Sequence, residues 1–170
     1  LTSVKKKPNK TIYKKNLNIL DYDSFFSLAE ALLAEDLSSV LLQFNDIVKR
    51  GFEPDHFMNG LATHFRNLMV AKSSSTSSLL GGSEQLKSRY TEQAKLVSKD
   101  YLLTAMNLAN QCDIHFPMAK NKILHTEIAL CKIAKINRVL DLNKITSASE
   151  QVKISNKRSS ERNSYTKTLP

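Results

Sequence analysis

The chain of 170 residues is poor in the residues that turn-rich β proteins use. It has four glycines, four prolines and no tryptophan, which argues against a β-sandwich or β-barrel with its many tight turns. It also lacks the Gly-x-x-x-x-Gly-Lys-Ser/Thr and Gly-x-Gly-x-x-Gly loops that hold phosphate groups. The sequence therefore offers none of the usual nucleotide-binding loops.

Long apolar runs and cysteines are scarce as well. No run approaches the roughly 18 apolar residues of a transmembrane helix, and no stretch resembles a signal peptide. With two cysteines, we expect a reduced, cytoplasmic protein without a membrane segment. Because the chain opens with Leu-Thr-Ser and not with Met, we also expect it to be part of a longer protein.

The net charge of +9 is concentrated at the two ends. Residues 1–16 carry six lysines and no acid, residues 141–170 carry six bases and three acids, and residues 17–140 carry 13 bases and 13 acids. The serine- and lysine-rich end has too few apolar residues to form a core. We therefore expect a neutral domain over residues 17–140, between a flexible basic linker (residues 1–16) and a flexible polar linker (residues 141–170).

Residues 17–140 have the periodicity of about six amphipathic helices, which we expect to form antiparallel hairpins in an all-α bundle. Short polar side chains that precede the apolar stretches predict the helix N-caps: Asp21 or Asp23, Asp36, Ser83 and Ser98. Pro54 fits the first turn of the third helix, and Gly51 fits the left-handed position after the second. Residues 73–83 predict a loop, and residues 118 to about 139 predict the sixth helix.

The stretch CDIHFPMAKNKILHTEIALCKIA, residues 112–134, is rich in residue types that bind zinc: Cys112, Asp113, His115, His125, Glu127 and Cys131. Zinc sites usually show a Cys-x2–4-Cys motif or a pair of histidines about three to five residues apart. Here His125 and Glu127 are two residues apart, so a helix directs them to different sides. We expect no metal, no cofactor and no catalytic residue in this chain.

The sixth helix is apolar over a wide arc. One predicted edge of this arc consists of Leu124, Ile128 and Cys131, and the other of Ile123, Leu130 and Ala134. Cys131 is interpreted as a small core residue. Glu127 lies between the two edges, where a carboxylate needs a hydrogen-bonding or cationic partner. On the third helix, His64 borders the apolar side and is predicted to be a partly buried, hydrogen-bonded histidine.

Three segments, taken in order, resemble a known family. LNILDYDSFF, DIVKRGFEPDHFMNGLATHFRNLMVAK and NKILHTEIALCKIA are similar to the helical third domain of the gamma/tau subunit of bacterial DNA polymerase III. The most specific parts are RGFEPDHF followed by Phe65-Arg66-x-Leu68, and Asn121-Lys122-x-Leu124-x-x-Glu127-x-x-Leu130. The resemblance covers about residues 17–140.

This resemblance implies a collar, or oligomerisation, domain of the clamp loader, the assembly that places the sliding clamp on primed DNA during replication. The implied partners are other gamma/tau copies and the delta and delta-prime subunits, with DNA contacted only through the complex. The parent assembly is a DNA polymerase whose clamp-loader ATPase domains are absent from this chain, which is therefore expected to be no enzyme itself.

The resemblance also marks Arg66, Asn121 and Glu127 as structural or subunit-interface candidates. The family pattern pairs Arg66 with Glu127, but a helical wheel places Arg66 about 140° from the centre of the apolar side of its helix. A contact of Arg66 with a neighbouring subunit is therefore left open. The alternative function is an unrelated helical module that binds nucleic acid through its basic ends, with an affinity that falls steeply as salt rises.

Overall fold

The structure is a computed structural model that describes residues 22–142. Within this range the chain forms α-helices and no strand, which confirms the all-α prediction. Six helices lie before residue 135: α1 (Tyr22–Leu33), α2 (Leu37–Lys49), α3 (Pro54–Ala71), α4 (Glu84–Lys95), α5 (Lys99–His115) and α6 (Lys122–Ala134). Short 3-10 helices occur at Ser77–Leu79, inside the predicted loop, and at Phe116–Met118.

The chain divides after Ala134 into two units, and all six helices belong to the first. Of the second unit the structure describes residues 135–142, of which 136–142 are helical. The predicted basic linker, residues 1–16, lies outside the described residues, as does the predicted polar linker beyond residue 142. Within residues 22–142 we find no helix that combines the length and hydrophobicity needed to cross a bilayer.

The helix ends follow the local signals in the sequence. The predicted caps Asp36, Ser83 and Ser98 are confirmed, because each side-chain oxygen accepts a hydrogen bond of 3.0–3.2 Å from the backbone N–H three residues later. Of the two candidates for the cap of α1, Asp23 lies inside the helix, and Asp21 lies outside the described residues.

Pro54 opens α3, as predicted. Gly51, with a φ of +90°, occupies the left-handed position after α2. Both residues act through their own backbone conformation, so the turn between α2 and α3 could be predicted without knowledge of the packing.

The connection from α5 to α6 differs from the prediction. α5 continues to His115, and Phe116 enters a 3-10 turn ahead of Pro117, so the α-helix does end before the proline. α6 begins at Lys122 and not at residue 118. It ends at Ala134, because residue 135 forms a turn.

Helix α3 lies at the centre of the first unit. It packs against α5 and α4, while α6 packs against α5, α2, α1 and α3. The largest fully buried side chains include Phe44, Phe57, Phe65 and Tyr101, which interlock through ring contacts between α2, α3 and α5. This core supports α6 from one side only.

Candidate subunit-contact surface

Helix α6 is buried on one side and apolar on the other. Its buried side consists of Thr126, Ala129, Leu130, Ile133 and Ala134. The outward side, which we call the α6 stripe, consists of Ile123, Leu124, Ile128 and the half-buried Cys131. Leu124 remains 49% exposed and Ile128 46% exposed. A helix in a single folded unit needs one apolar side, so the second one is available to a partner.

This arrangement corrects the prediction for the sixth helix. Leu124, Ile128 and Cys131 are predicted to form one edge of the apolar arc, with Cys131 in the core, but Leu124 and Ile128 are exposed and Cys131 is only half-buried. The core instead uses Thr126, whose hydroxyl donates a hydrogen bond of 3.0 Å to the carbonyl of Lys122. This bond satisfies the buried hydroxyl within its own helix. A threonine in a helix can make this bond to the carbonyl four residues earlier, so the sequence allowed the burial of Thr126 but did not indicate it.

Glu127 lies beside the α6 stripe and is half-buried. The sequence predicts a hydrogen-bonding or cationic partner for its carboxylate. Among residues 22–142 no side chain forms a hydrogen bond or an ion pair with this carboxylate. Arg66 bonds to Asn67 and Leu79 instead. A carboxylate in this position meets water on one side and aliphatic carbon on the other.

Arg66 projects from the exposed side of α3, as its position on the helical wheel predicts. Its Nη1 donates a hydrogen bond of 3.1 Å to Oδ1 of Asn67 and lies 3.5 Å from the carbonyl oxygen of Leu79. Leu79 belongs to the short 3-10 helix and is 59% exposed. The structure therefore places Arg66 next to an exposed leucine and does not bring it to Glu127.

Asn121 caps α6. Its Oδ1 accepts a hydrogen bond of 3.0 Å from the backbone N–H of Leu124, and its carbonyl accepts one of 3.0 Å from that of His125. The side chain thus satisfies one of the free N–H groups in the first helical turn. Of the three candidate residues, Asn121 has a role inside the domain, whereas Arg66 and Glu127 face outward.

The family of the chain follows from a comparison with known proteins. Residues 14–148 match the family model of DNA polymerase III subunits gamma and tau domain III. The chain belongs to this family. The match extends beyond both ends of the resemblance over residues 17–140. As a gamma/tau domain III, the chain is a helical domain of clamp-loader subunits, and the alternative of an unrelated nucleic-acid-binding module is not favoured.

The fold of this domain III also occurs in a solved structure, the Bacillus subtilis DNA clamp loader delta protein (YqeN). That protein is 21% identical, with a TM-score of 0.54 over 66% of this chain and 36% of its own length. At this identity the likeness concerns the fold alone, and the chain spans little more than a third of that protein. A search of curated proteins found no match.

The zinc-binding residue types of domain III are scattered around the contact between α5 and α6. His125 Nε2 lies 3.0 Å from the carbonyl oxygen of Cys112, and His115 Nδ1 lies 2.7 Å from that of Gln111. Each ring nitrogen therefore donates to a backbone carbonyl. In residues 22–142 no three His, Cys, Asp or Glu side chains stand close enough to hold a metal ion. Burial raises the pKa of the Cys112 thiol, with a smaller contribution from Asp113.

His64 is the centre of a buried polar network in domain III. Its Nε2 lies 2.9 Å from Oε1 of Gln93, and Nε2 of Gln93 donates a hydrogen bond of 2.9 Å to the carbonyl of Phe26. These two bonds link α3, α4 and α1. His64 is hydrogen-bonded as predicted, but it is fully buried and not partly buried. The role of Gln93 was missed, because an isolated glutamine on a polar helix carries no signal of burial.

Proposed function

We propose that this domain holds clamp-loader subunits together in the collar of the assembly that places the sliding clamp on DNA. Its partners are other gamma/tau copies and the delta and delta-prime subunits, and it reaches DNA only through the complex. ATP hydrolysis belongs to other domains of the parent subunit. The role of the family in bacterial replication supports a cytoplasmic location.

The observation that carries this proposal is the α6 stripe. Fully burying a leucine or isoleucine side chain stabilises by about 1.5–3 kcal/mol. The three aliphatic side chains of the α6 stripe are already about half-covered within the domain. They can contribute about 3 kcal/mol, less than the roughly 4–15 kcal/mol that association costs in lost freedom of motion. The stripe must therefore be the apolar part of a wider interface, of over about 1,000 Å².

Two charged side chains support a contact between different surfaces of neighbouring subunits. Glu127 lies beside the α6 stripe, and Arg66, on α3, lies beside the exposed Leu79 of the first 3-10 helix. Within one chain they do not pair. If the α6 side of one subunit meets the α3 side of the next, the carboxylate and the guanidinium become partners across the interface. Such head-to-tail contacts close into rings when the rotation between subunits allows it.

Asn121 contributes to this surface indirectly. As the cap of α6, it holds the first turn that carries Ile123 and Leu124. We assign it a structural role in the interface and no direct contact.

Sedimentation of the purified chain, alone and mixed with a delta-type subunit, tests the proposal. We expect association at micromolar concentration or below, and its loss in Ile128→Asp, which places a charge in the α6 stripe. Leu42→Asp is the matched control, because Leu42 is a 68% exposed leucine on α2. A chain that stays monomeric at high concentration and also ignores delta-type subunits refutes the collar function.

A further inference from the structure

A small cleft opens between α5 and α6, next to the α6 stripe. Its volume is about 200 Å³, and its apolar walls are Leu108, Cys112, Ile128 and Ala129. Pockets for small molecules are usually larger, about 300–1,000 Å³. A cleft of this size fits one aliphatic side chain, and such side-chain pockets are typical of the strongest points in protein interfaces.

One cationic side chain, Lys132, lines the cleft. Lys132 lies on α6 one turn after Ile128, and its ammonium group forms no ion pair with the residues that the structure describes. The remaining polar lining consists of Gln111, His115 and His125, so the described lining contains no carboxylate. An occupant that brings a carboxylate beside an aliphatic group therefore meets a complementary charge at Lys132.

The same domain presents such a pair of groups on α4. Leu96, at the end of α4, is 75% exposed, the highest value among the large apolar side chains in residues 22–142. Glu92 lies one helical turn before it, on the same side. Glu92 pairs with Lys95 at 2.6 Å, but both side chains are exposed. Exposed pairs of this kind are weak, so Glu92 can exchange partners.

No residue of α4 lines the cleft of its own chain. α4 packs mainly against α3, whereas the cleft belongs to α5 and α6. Leu96 is largely exposed and therefore does not fill the cleft of its own chain. Their pairing therefore requires a second copy.

We propose that Leu96 of one copy of this domain inserts into the cleft between α5 and α6 of the next copy, with Glu92 facing Lys132. This inference rests on the proposed collar function and names the residues through which the copies recognise each other. The aliphatic contact supplies apolar burial, and the charged pair selects a neighbour that carries an acid beside its exposed leucine.

Charge exchange in the self-associating chain tests the inference, with the dissociation constant measured by sedimentation. We expect Lys132→Glu and Glu92→Lys each to weaken association about tenfold. The double variant restores the pair with its signs reversed and should bind within about threefold of the natural chain. Leu96→Asp should also weaken association. Lys49→Glu and Leu42→Asp, exposed on α2, are the controls for charge and for leucine loss, and circular dichroism verifies the fold.

The outcomes separate this inference from the proposed function. If Ile128→Asp disrupts association while Lys132→Glu and Leu96→Asp bind like the controls, the collar function stands and the contact between Leu96 and the cleft is wrong. A double variant that binds no better than either single variant also refutes the pairing of Glu92 with Lys132. If the natural chain binds neither itself nor delta-type subunits, both proposals fail.

Discussion

Acid should destabilise this domain through His64. The imidazole is 1% exposed and is surrounded by the rings of Phe25, Phe26, Phe65 and Tyr90. Its Nε2 bonds to Gln93, while its Nδ1 is buried without a partner among the described residues. Protonation would place a hydrogen on Nδ1 that no acceptor meets, so the native state holds the neutral form.

The direction and size of the effect follow from the pKa of His64. This pKa is lowered from 6.5 to about 4, mainly by burial; the Gln93 hydrogen bond opposes the shift, and nearby Arg89 adds a smaller lowering. Between these two values the unfolded chain binds the proton and the folded chain does not. The contribution of His64 to stability is therefore complete above pH 6.5 and is lost as the pH falls towards 4. At about 1.4 kcal/mol for each tenfold change in proton affinity, the loss is about 3 kcal/mol.

The assay is urea unfolding of the natural chain and of His64→Phe between pH 7 and pH 4. The variant leaves Gln93 without its partner, so it should be less stable at pH 7 by about 1–3 kcal/mol. Groups other than His64 titrate in both proteins, so the difference between their unfolding free energies isolates this residue. As the pH falls to 4, we expect the natural chain to lose about 3 kcal/mol of stability relative to His64→Phe. Its advantage at pH 7 should therefore disappear or change sign. A difference that stays constant over this range would refute the role assigned to the buried imidazole.

Three further predictions concern single substitutions in the helices. Gly60→Ala should destabilise the domain by about 1–3 kcal/mol, because the added Cβ would overlap the ring of Phe25; an unchanged midpoint in thermal unfolding would contradict this packing. Asn121→Ala should lower the unfolding free energy by about 1 kcal/mol through the lost cap of α6. Asn121→Asp keeps an acceptor oxygen and should lose much less, so equal losses in the two variants would argue against capping. Glu127→Ala should change the stability of the monomer by less than about 0.5 kcal/mol yet weaken association, and a loss of about 1–3 kcal/mol in the monomer would show that the carboxylate has a partner within the domain.

The helix ends could be predicted from the sequence because the interactions that set them are local. Asp36, Ser83 and Ser98 each bond to a backbone N–H three residues away, and Pro54 and Gly51 act through their own backbone angles. The same reasoning failed between Phe116 and Asn121. There, the pattern predicts a start of α6 at residue 118, but a 3-10 helix occupies Phe116–Met118, and the ring of Phe116 packs against that of His125.

The candidate surface depended on the tertiary structure. A helical wheel of α6 shows two apolar edges, but it does not show which of them the other helices cover. The bundle covers the side of Ala129 and Ile133 and leaves Leu124 and Ile128 at the surface. Because this side of α6 is exposed, Glu127 lies at the border of an apolar stripe and is half-buried.

Family membership and the order of the helices could therefore be predicted from short-range patterns in the sequence: the family motifs, the helix caps and the apolar periodicity. The burial of Gln93, the separation of Arg66 from Glu127, and the cleft beside Lys132 were decided only when helices distant in the sequence packed together. Polar side chains such as these gain or lose partners according to their neighbours in space. The sequence determined which helices form, and the packing of those helices determined which side chains remain free to meet another subunit.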